Sequence, residues 1–230
     1  MNVLVIDVGG SNVKTLATGH KTVRKMASGR KLTPSQMVAG VGDLARGWKY
    51  DVIALGIPSA VARNQPIGEP PNLGKGWVEF DYAAAFGRPV RIINDAAMQA
   101  LGAYQGGKML FLGFGTGLGT TLICDGTIIA MELAHLPYKR ATFEDYVGDV
   151  ALKRDGKKKW RETVDDVIVR LTAALLPEDI VLGGGNARHI QHLPPLCRRG
   201  DNADAFTGGF RLWDDRGPRR DKAHVRTVQR

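Results

Sequence analysis

Short apolar runs alternate with amphipathic stretches along this chain. Strands covered on both faces are predicted from apolar, largely β-branched runs at residues 3–6, 51–57, 90–93 and 180–182. A helical stripe that includes Val38 and Val41 predicts a helix over residues 35–48, with Pro34 as its first residue after an N-cap at Thr33. The alternation of strands with helices predicts an α/β fold.

Two groups of three strands joined by tight turns divide this pattern into similar halves. The groups are predicted at residues 3–6, 13–18 and 20–26, and at 109–114, 120–124 and 127–131. Further helices are predicted at residues 81–87, 96–101, 143–158 and 160–176. The order β-β-β-α-β-α therefore occurs twice. We predict a duplication at the level of the fold, with lobes at residues 1–105 and 106–213, a last helix that crosses back, and a loose basic tail at 214–230.

Composition excludes several classes of protein. The 230 residues are 43% hydrophobic and 24% charged, which is ordinary for a globular protein. No apolar run approaches the ~20 residues that span a bilayer, and the first residues lack the basic region and cleavage site of a signal peptide. Cys124 and Cys197 show neither a metal-binding spacing nor a disulfide framework. We therefore expect a cytoplasmic protein without a membrane segment.

The net charge of +9 is concentrated in two basic blocks, at residues 153–161 and 214–230. Such runs are typical of a solvated helix face and a loose tail, but they also suit a surface that binds a polyanion. No helix-turn-helix or RNA-binding signature accompanies either block. Nucleic acid is therefore the weaker interpretation.

Residues 92–102 carry the most informative junction, where a buried strand delivers Asp95 onto the first turn of a helix. Backbone N–H groups lack partners there, and the helix dipole favours negative charge. Asn94 or Asp95 could serve only as an N-cap, a role that these residues often fill. Alternatively, Asp95 could accept a proton from a hydroxyl group as a general base. The junction alone leaves both interpretations open.

Three glycine-rich turns follow predicted strands. Residues 7–14 read Asp-Val-Gly-Gly-Ser-Asn-Val-Lys, residues 115–119 read Gly-Thr-Gly-Leu-Gly, and residues 183–185 are three glycines. Such turns present backbone N–H groups to phosphate oxygens without obstruction by side chains. Asp7 could hold a hydrated Mg²⁺ ion beside them. On its own, the first turn could equally be a plain hairpin. Together, the three turns and Asp95 form a coherent set that could bind phosphate and accept a proton from a hydroxyl group.

In this order the motifs resemble those of the ROK-family sugar kinases, within the actin-like ATPase superfamily, and most of all the polyphosphate glucokinase branch. The resemblance rests on residues 7–14, Asn94-Asp95-Ala96-Ala97, residues 115–119, Glu132-Leu133-Ala134-His135, Phe143-Glu144-Asp145-Tyr146 and residues 183–185. Asn72 and Trp77 also resemble residues of the loop on the sugar side. This loop belongs to an irregular stretch at residues 62–77, a length that is usually functional.

The resemblance implies two actin-like (ribonuclease H-like) lobes with a central cleft, assembled as a homodimer. It implies transfer of a phosphoryl group from polyphosphate, ATP or both to a hexose, with glucose as the first candidate and Mg²⁺ as cofactor. It implies Asp95 as the general base. The implied sugar ligands are Asn72, Asn94, Glu132, His135 and Glu144. The implied phosphate or nucleotide ligands are Asp7, Gly9, Gly10, Ser11, Asn12, Lys14, Gly115, Thr116, Gly117, Gly183, Gly184 and Gly185.

The sequence departs from the family in two ways. The cysteine cluster that binds zinc in many members is missing beside His135, so we expect no zinc site, and Ala134 replaces the usual glycine. We expect no DNA-binding domain before residue 3, and therefore not the repressor arrangement of the family. A non-catalytic sugar-binding protein on the same scaffold, or a kinase for mannose, fructose or an N-acetylhexosamine, remains an alternative.

Overall fold

The first half of the chain folds around a five-stranded sheet, seen here in a computed structural model that describes residues 1–201 and 203–214. This half contains seven strands, of which five form the sheet: β1 (Val3–Val8), β2 (Asn12–Ala17), β3 (Arg24–Ala27), β4 (Val52–Ile57), β5 (Val61–Ala62), β6 (Gln65–Pro66) and β7 (Val90–Asn94). The sheet has the order β3-β2-β1-β4-β7, in which β2 runs antiparallel to its neighbours and β1, β4 and β7 are parallel. β1 and β4 are buried along their whole length, as predicted.

The helices of this half are α1 (Pro34–Leu44), α2 (Tyr82–Phe86) and α3 (Asp95–Ala103). The predicted cap of α1 is confirmed, because Thr33 Oγ1 accepts a hydrogen bond from Gln36 N at 3.3 Å and Gln36 Oε1 accepts one from Thr33 N at 3.0 Å. α1 ends earlier than predicted, before a turn in which Gly47 takes a φ of 83°. The third strand is also shorter than predicted, and β5 with β6 forms a small hairpin inside the predicted loop.

A second sheet repeats the same arrangement. Its half of the chain contains β8 (Lys108–Phe114), β9 (Leu118–Cys124), β10 (Thr127–Ala130), β11 (Pro137–Tyr138), β12 (Ala141–Thr142), β13 (Asp179–Gly183) and β14 (Cys197–Arg199). The sheet order is β10-β9-β8-β13-β14, again with an antiparallel meander on one side of the first strand and parallel strands on the other. The predicted duplication of the fold is therefore confirmed.

The helices of the second half are α4 (Glu144–Val147), α5 (Asp149–Leu175) and α6 (Asp204–Arg211), with 3-10 helices at Leu133–His135 and Gly185–His189. The two helices predicted over residues 143–176 break elsewhere than expected, because Gly156 interrupts α5 with φ 75° and ψ 162°. Glycine takes this conformation without a steric penalty. The glycines at 183–185 lead into a short 3-10 helix, and β14 was not predicted from the sequence.

Helix α3 lies between the two sheets, and α6 packs against it. Met98 of α3 contacts the apolar cluster of β1 and β4, whereas Ala100 belongs to the cluster of β8 and β13. Glycines allow the two helices to approach closely, because a Cβ on Gly102 or on Gly208 would overlap a main-chain oxygen of the other helix. Arg211 Nη1 donates hydrogen bonds to three carbonyl oxygens at the end of α3, at 2.8–2.9 Å. The last helix therefore crosses back to the first half, as predicted.

The two halves have separate cores on the outer faces of their sheets. α1 covers the first sheet, and the second segment of α5 covers the second sheet with Trp160 and Val164. The lobe boundary near residue 105 stays a prediction, and residues 215–230 of the predicted tail lie outside the described residues. Within the described part of the chain, no helix is long and apolar enough to cross a membrane.

Candidate functional site

Asp95 is the first residue of α3, and Asn94 is the cap of this helix. Asn94 Oδ1 accepts a hydrogen bond from Ala97 N at 3.1 Å, and Asn94 Nδ2 donates one to Ser59 O at 3.1 Å. Asp95 Oδ1 accepts a hydrogen bond from Ala96 N at 2.9 Å. Asn94 therefore caps the helix, and Asp95 supplies the carboxylate at the junction. This division leaves Asp95 in place to act on a substrate.

The surroundings of Asp95 raise its pKa to about 7 from the ordinary 3.8. Burial is the largest cause, because it disfavours the charged form, and the negative charge of Asp7 is the second. Glu132 adds a smaller effect in the same direction, whereas the N–H of Ala96 opposes it. A carboxylate with a pKa near neutrality is suited to accept a proton at physiological pH. Asp7 and Glu132 come from different halves of the chain, so the site lies where the halves meet.

The first glycine turn joins β1 to β2 beside this carboxylate. Gly9 N donates to Asn12 O at 2.9 Å. Ser28, just after β3, holds the turn, because its Oγ donates to Gly9 O at 2.6 Å and its N donates to Ser11 O at 3.1 Å. Ser11 itself is exposed. Gly10 packs against the side chain of Asn72, where an added Cβ would lie 3.4 Å from Asn72 Cβ. The predicted phosphate turn and the predicted sugar-side loop are therefore neighbours.

Asp7 and Lys14 are the charged pair of the first turn. Asp7 is only 6% exposed, and Lys14 Nζ lies 3.4 Å from its Oδ2. Burial raises the pKa of Asp7, and the nearby Lys14 charge opposes this shift. The buried carboxylate therefore lies close to both a cation and the like charge of Asp95.

The second glycine turn joins β8 to β9 and is tied to two other elements. Gly115 N donates to Gly117 O at 3.1 Å, and Gly115 O accepts hydrogen bonds from Asp149 N (3.0 Å) and Asn186 Nδ2 (3.2 Å). Thr116 is exposed at the tip. These bonds join the turn to the start of α5 and to the glycines at 183–185. The two predicted phosphate motifs of this half therefore lie side by side.

Glycine leaves room for close neighbours at two places around this turn. Gly184 takes a φ of 79°, and a Cβ there would overlap the backbone of Phe114. Gly117 lies directly against the carboxylate of Glu144, so any side chain at this position would displace it. The second turn thus contacts a residue predicted to bind the sugar.

The remaining predicted sugar ligands form a group on the second half. His135 Nδ1 lies 3.7 Å from Glu144 Oε1, and both side chains are accessible to solvent. Glu132 is exposed, and the backbone beside it is held by Thr120 Oγ1, which donates to Met131 O at 3.0 Å. Asn72 and Asn94 belong to the first half, so the predicted sugar ligands come from both halves. Their contacts with a sugar stay predictions.

Trp77 has a different place from the exposed polar residues of the site. Its side chain is fully buried in the core of the first half, and Tyr82 Oη donates a hydrogen bond to its carbonyl oxygen at 2.8 Å. Trp77 therefore supports the loop at residues 62–77 from beneath.

Two residues that hold the glycine turns were missed in the sequence. Ser28 lies well beyond the first turn along the chain, and its spacing gives no signal. Asn186 directly follows the three glycines, so its position was a usable signal. Among the described residues, no group of three or more His, Cys, Asp or Glu side chains is arranged to hold a metal ion.

Comparison with known proteins relates the fold to one class of protein. No protein-family model matches the chain. Among solved structures, the ROK-family glucokinase of Streptomyces griseus, in complex with glucose and AMPPNP, superposes with a TM-score of 0.72 at 14% identity, covering 92% of this chain and 99% of that one. The chain therefore has the two-lobe, actin-like fold of the ROK-family sugar kinases. The resemblance predicted from the motifs is confirmed.

Two proteins that use polyphosphate, by their names, are also similar to this chain. The inorganic polyphosphate/ATP-glucomannokinase of Arthrobacter sp. strain KM superposes with a TM-score of 0.79 at 22% identity, covering 90% of this chain and 96% of that one. The polyphosphate glucokinase of Mycobacterium tuberculosis (strain CDC 1551 / Oshkosh) is 27% identical over 213 residues, covering 83% of this chain and 80% of that protein. The chain is thus similar to polyphosphate-dependent sugar kinases in both sequence and structure.

Proposed function

We propose that this protein is a hexose kinase that transfers a phosphoryl group from polyphosphate, ATP or both to a sugar hydroxyl, with glucose as the first candidate. The names of the similar proteins support this class of reaction. The observation that carries the proposal is the Asp95 carboxylate, whose pKa is raised to about 7 by burial and by the charges of Asp7 from the first half and Glu132 from the second. A protein that only binds sugar has no need of such a base.

In this proposal Asp95 accepts the proton of the attacking hydroxyl as the bond to phosphorus forms. Placement of the hydroxyl by hydrogen bonds contributes most of the rate in phosphoryl transfer, together with neutralisation of charge. We assign placement of the sugar to Asn72, Asn94, Glu132, His135 and Glu144. Backbone N–H groups of the two turns and of residues 183–185 bind the phosphates of the donor.

Mg²⁺ fits this site with Asp7 as its protein ligand. Mg²⁺ is commonly held by one or two carboxylates together with substrate phosphates and water. The negative charge of Asp7 acts on Asp95, so a divalent cation held by Asp7 would relieve this repulsion. The ion would supply neutralisation of phosphate charge. Lys14 supplies a further positive charge beside Asp7.

We also propose a cytoplasmic location and a homodimer. The location follows from Cys124 and Cys197, which are free thiols typical of a reducing compartment. The dimer follows from the family resemblance alone. Light scattering on the purified chain measures its mass directly, and a monomeric mass would contradict the dimer.

The test is coupled turnover of glucose with each donor, for the wild type and for Asp95→Asn. The substitution is nearly isosteric and removes the base, so we expect kcat to fall by about 10²–10⁴-fold. In the wild type, kcat/KM should rise with pH through about 7, because Asp95 must lose its proton to act. Asp204→Asn, on α6, is the matched control and should retain kcat within about twofold.

The same measurements contain the outcomes that contradict the proposal. Retained activity in Asp95→Asn would remove this residue from the chemistry. Binding of sugar without turnover by any donor would favour the non-catalytic alternative. A panel of glucose, mannose, fructose and N-acetylhexosamines identifies the acceptor, since these sugars differ in the hydroxyl contacts that Asn72, Glu132, His135 and Glu144 would make.

A further inference from the structure

The basic block at residues 153–161 is divided by the structure into two sets of side chains. One set pairs with carboxylates of its own helix. Lys153 forms an ion pair with Asp149, and Arg154 lies 2.7 Å from Asp155. Lys159 Nζ also lies 3.7 Å from Asp155. These cations are compensated along α5 and contribute less to an external anion site.

The other set lies near the 3-10 helix at Gly185–His189, which packs against α5 in one apolar cluster. Burial lowers the pKa of His189, and the nearby positive charges of Lys157, Arg188 and Arg161 lower it further. Arg188 Nε lies 3.3 Å from His189 Nε2, and Arg161 Nε donates to Lys157 O at 3.1 Å. We call these four residues the basic cluster. Lys157 and Arg188 are exposed, whereas Arg161 and His189 are half-buried.

The charges of the basic cluster repel one another in the free protein. Asp165 lies close enough to Arg161 and His192 for both to act on its pKa, so it compensates part of the positive charge. Burial nevertheless raises the pKa of Asp165. A concentration of like charge on two packed elements is costly unless an anion neutralises it. The basic cluster is therefore suited to a ligand with several negative charges.

Both elements that carry the basic cluster start at the second glycine turn. Asp149 N, at the beginning of α5, and Asn186 Nδ2, in the 3-10 helix, donate to the same oxygen of Gly115. Lys157 and Arg161 lie further along α5, and Arg188 and His189 lie further along the 3-10 helix. The basic cluster therefore lies on two elements that both start at the turn.

We propose that the basic cluster is a second anion site, which holds the far phosphates of a polyphosphate chain while the glycine turns hold the phosphates nearest the transferred group. This inference rests on the proposed function and adds a place for the rest of the donor. A long chain has phosphates for both places, whereas tripolyphosphate has few beyond those that the glycine turns hold. Neutralisation of chain phosphates by lysine and arginine releases counterions, so affinity for long chains falls with salt.

The experiment compares two double variants of the full chain that remove the same charge. Lys157→Ala with Arg188→Ala removes two members of the basic cluster, and Lys158→Ala with Lys159→Ala removes two neighbouring lysines outside it. Calorimetric titration with long-chain polyphosphate and with tripolyphosphate, without sugar, gives Kd from about 50 to about 200 mM salt. We expect the first variant to weaken long-chain binding roughly tenfold and to lower the salt slope by between about one and two.

We also expect both variants to bind tripolyphosphate with a Kd within about twofold of the wild-type value. Equal weakening of long-chain binding in the two variants, or none in the first, would overturn the second anion site. Circular dichroism and Tm verify folding, and Lys157→Gln with Arg188→Gln replaces the first variant if it fails to fold.

Turnover with glucose separates this inference from the proposed function. Kinase activity together with unchanged long-chain affinity in the first variant would refute the second anion site and leave the kinase intact. Long-chain binding that depends on Lys157 and Arg188, without turnover by any donor, would support the site and refute the kinase.

Discussion

Helices α3 and α6 occupy matching places in the two halves, yet they present different chemistry at their first turns. Each follows the last strand of its sheet, β7 or β14, and each begins with an aspartate. Asp95 experiences burial and the charges of Asp7 and Glu132, which raise its pKa. Asp204 Oδ2 instead accepts a hydrogen bond from Asp201 N at 2.7 Å. The duplicated topology therefore contains two similar positions with different surroundings.

Local capping accounts for much of this difference. Asn94 takes the capping role at α3, since its Oδ1 accepts a hydrogen bond from Ala97 N. At α6, the turn before the helix uses the carboxylates themselves, since Ala203 N donates to Asp201 Oδ1 at 2.8 Å. The two aspartates therefore differ in which residue caps the helix and in the charges around them.

The crossing of α3 and α6 should tolerate no added methyl group. We expect Gly208→Ala to lower the free energy of unfolding by about 3 kcal/mol, because the new Cβ would overlap Met98 O in α3. Gly42→Ala, in α1, is the matched control, since no atom lies within 4 Å of its Cβ position. This change should stabilise the protein by about 0.5 kcal/mol. Urea unfolding measures both, and equal effects would show that the helices separate easily.

The raised pKa of Asp95 makes folding depend on pH. Because the folded protein holds this proton up to about pH 7, whereas the unfolded chain loses it near 3.8, the stability that the proton provides is lost as pH rises between these values. Asp95→Asn removes this loss. We expect the variant to gain on the order of 1–3 kcal/mol relative to the wild type between pH 4 and pH 8.

Urea unfolding of Asp95→Asn and Asp204→Asn at both pH values tests this expectation. Asp204→Asn alters the hydrogen bond with Asp201 N and should change stability by a similar amount at each pH. A pH-independent difference between Asp95→Asn and the wild type would show that Asp95 is not held in a desolvated, negatively charged environment.

Glu132 contributes a charge from the second half to the site on α3. We expect Glu132→Gln to raise the KM for sugar about tenfold while kcat stays within about threefold, because a charged acceptor is lost from ground and transition states alike. Steady-state kinetics over sugar concentration measures both constants. Glu162→Gln, on the exposed face of α5, is the control and should change neither. A collapse of kcat alone would assign Glu132 to the chemistry.

Local sequence patterns predicted much of the architecture. β-branched runs predicted the buried strands, and Thr33 with Pro34 predicted the start of α1, because the interactions that form these elements lie within a few residues. The glycine turns were also readable, since they follow strands directly. By contrast, the break of α5 at Gly156 was misplaced, because a single glycine within a helical pattern signals a kink only weakly.

The sequence by itself determined the α/β class, the duplicated order of elements and Asp95 as the candidate base. Only the tertiary structure decided how Asn94 and Asp95 share the junction, how far the pKa of Asp95 rises, and which cations of the basic block face the 3-10 helix. These properties depend on residues that are distant along the chain, such as Asp7 and Glu132 around Asp95, or Lys157 and Arg188 around His189. Burial and charge act through space, and hydrophobic periodicity reports only the near neighbours of a residue.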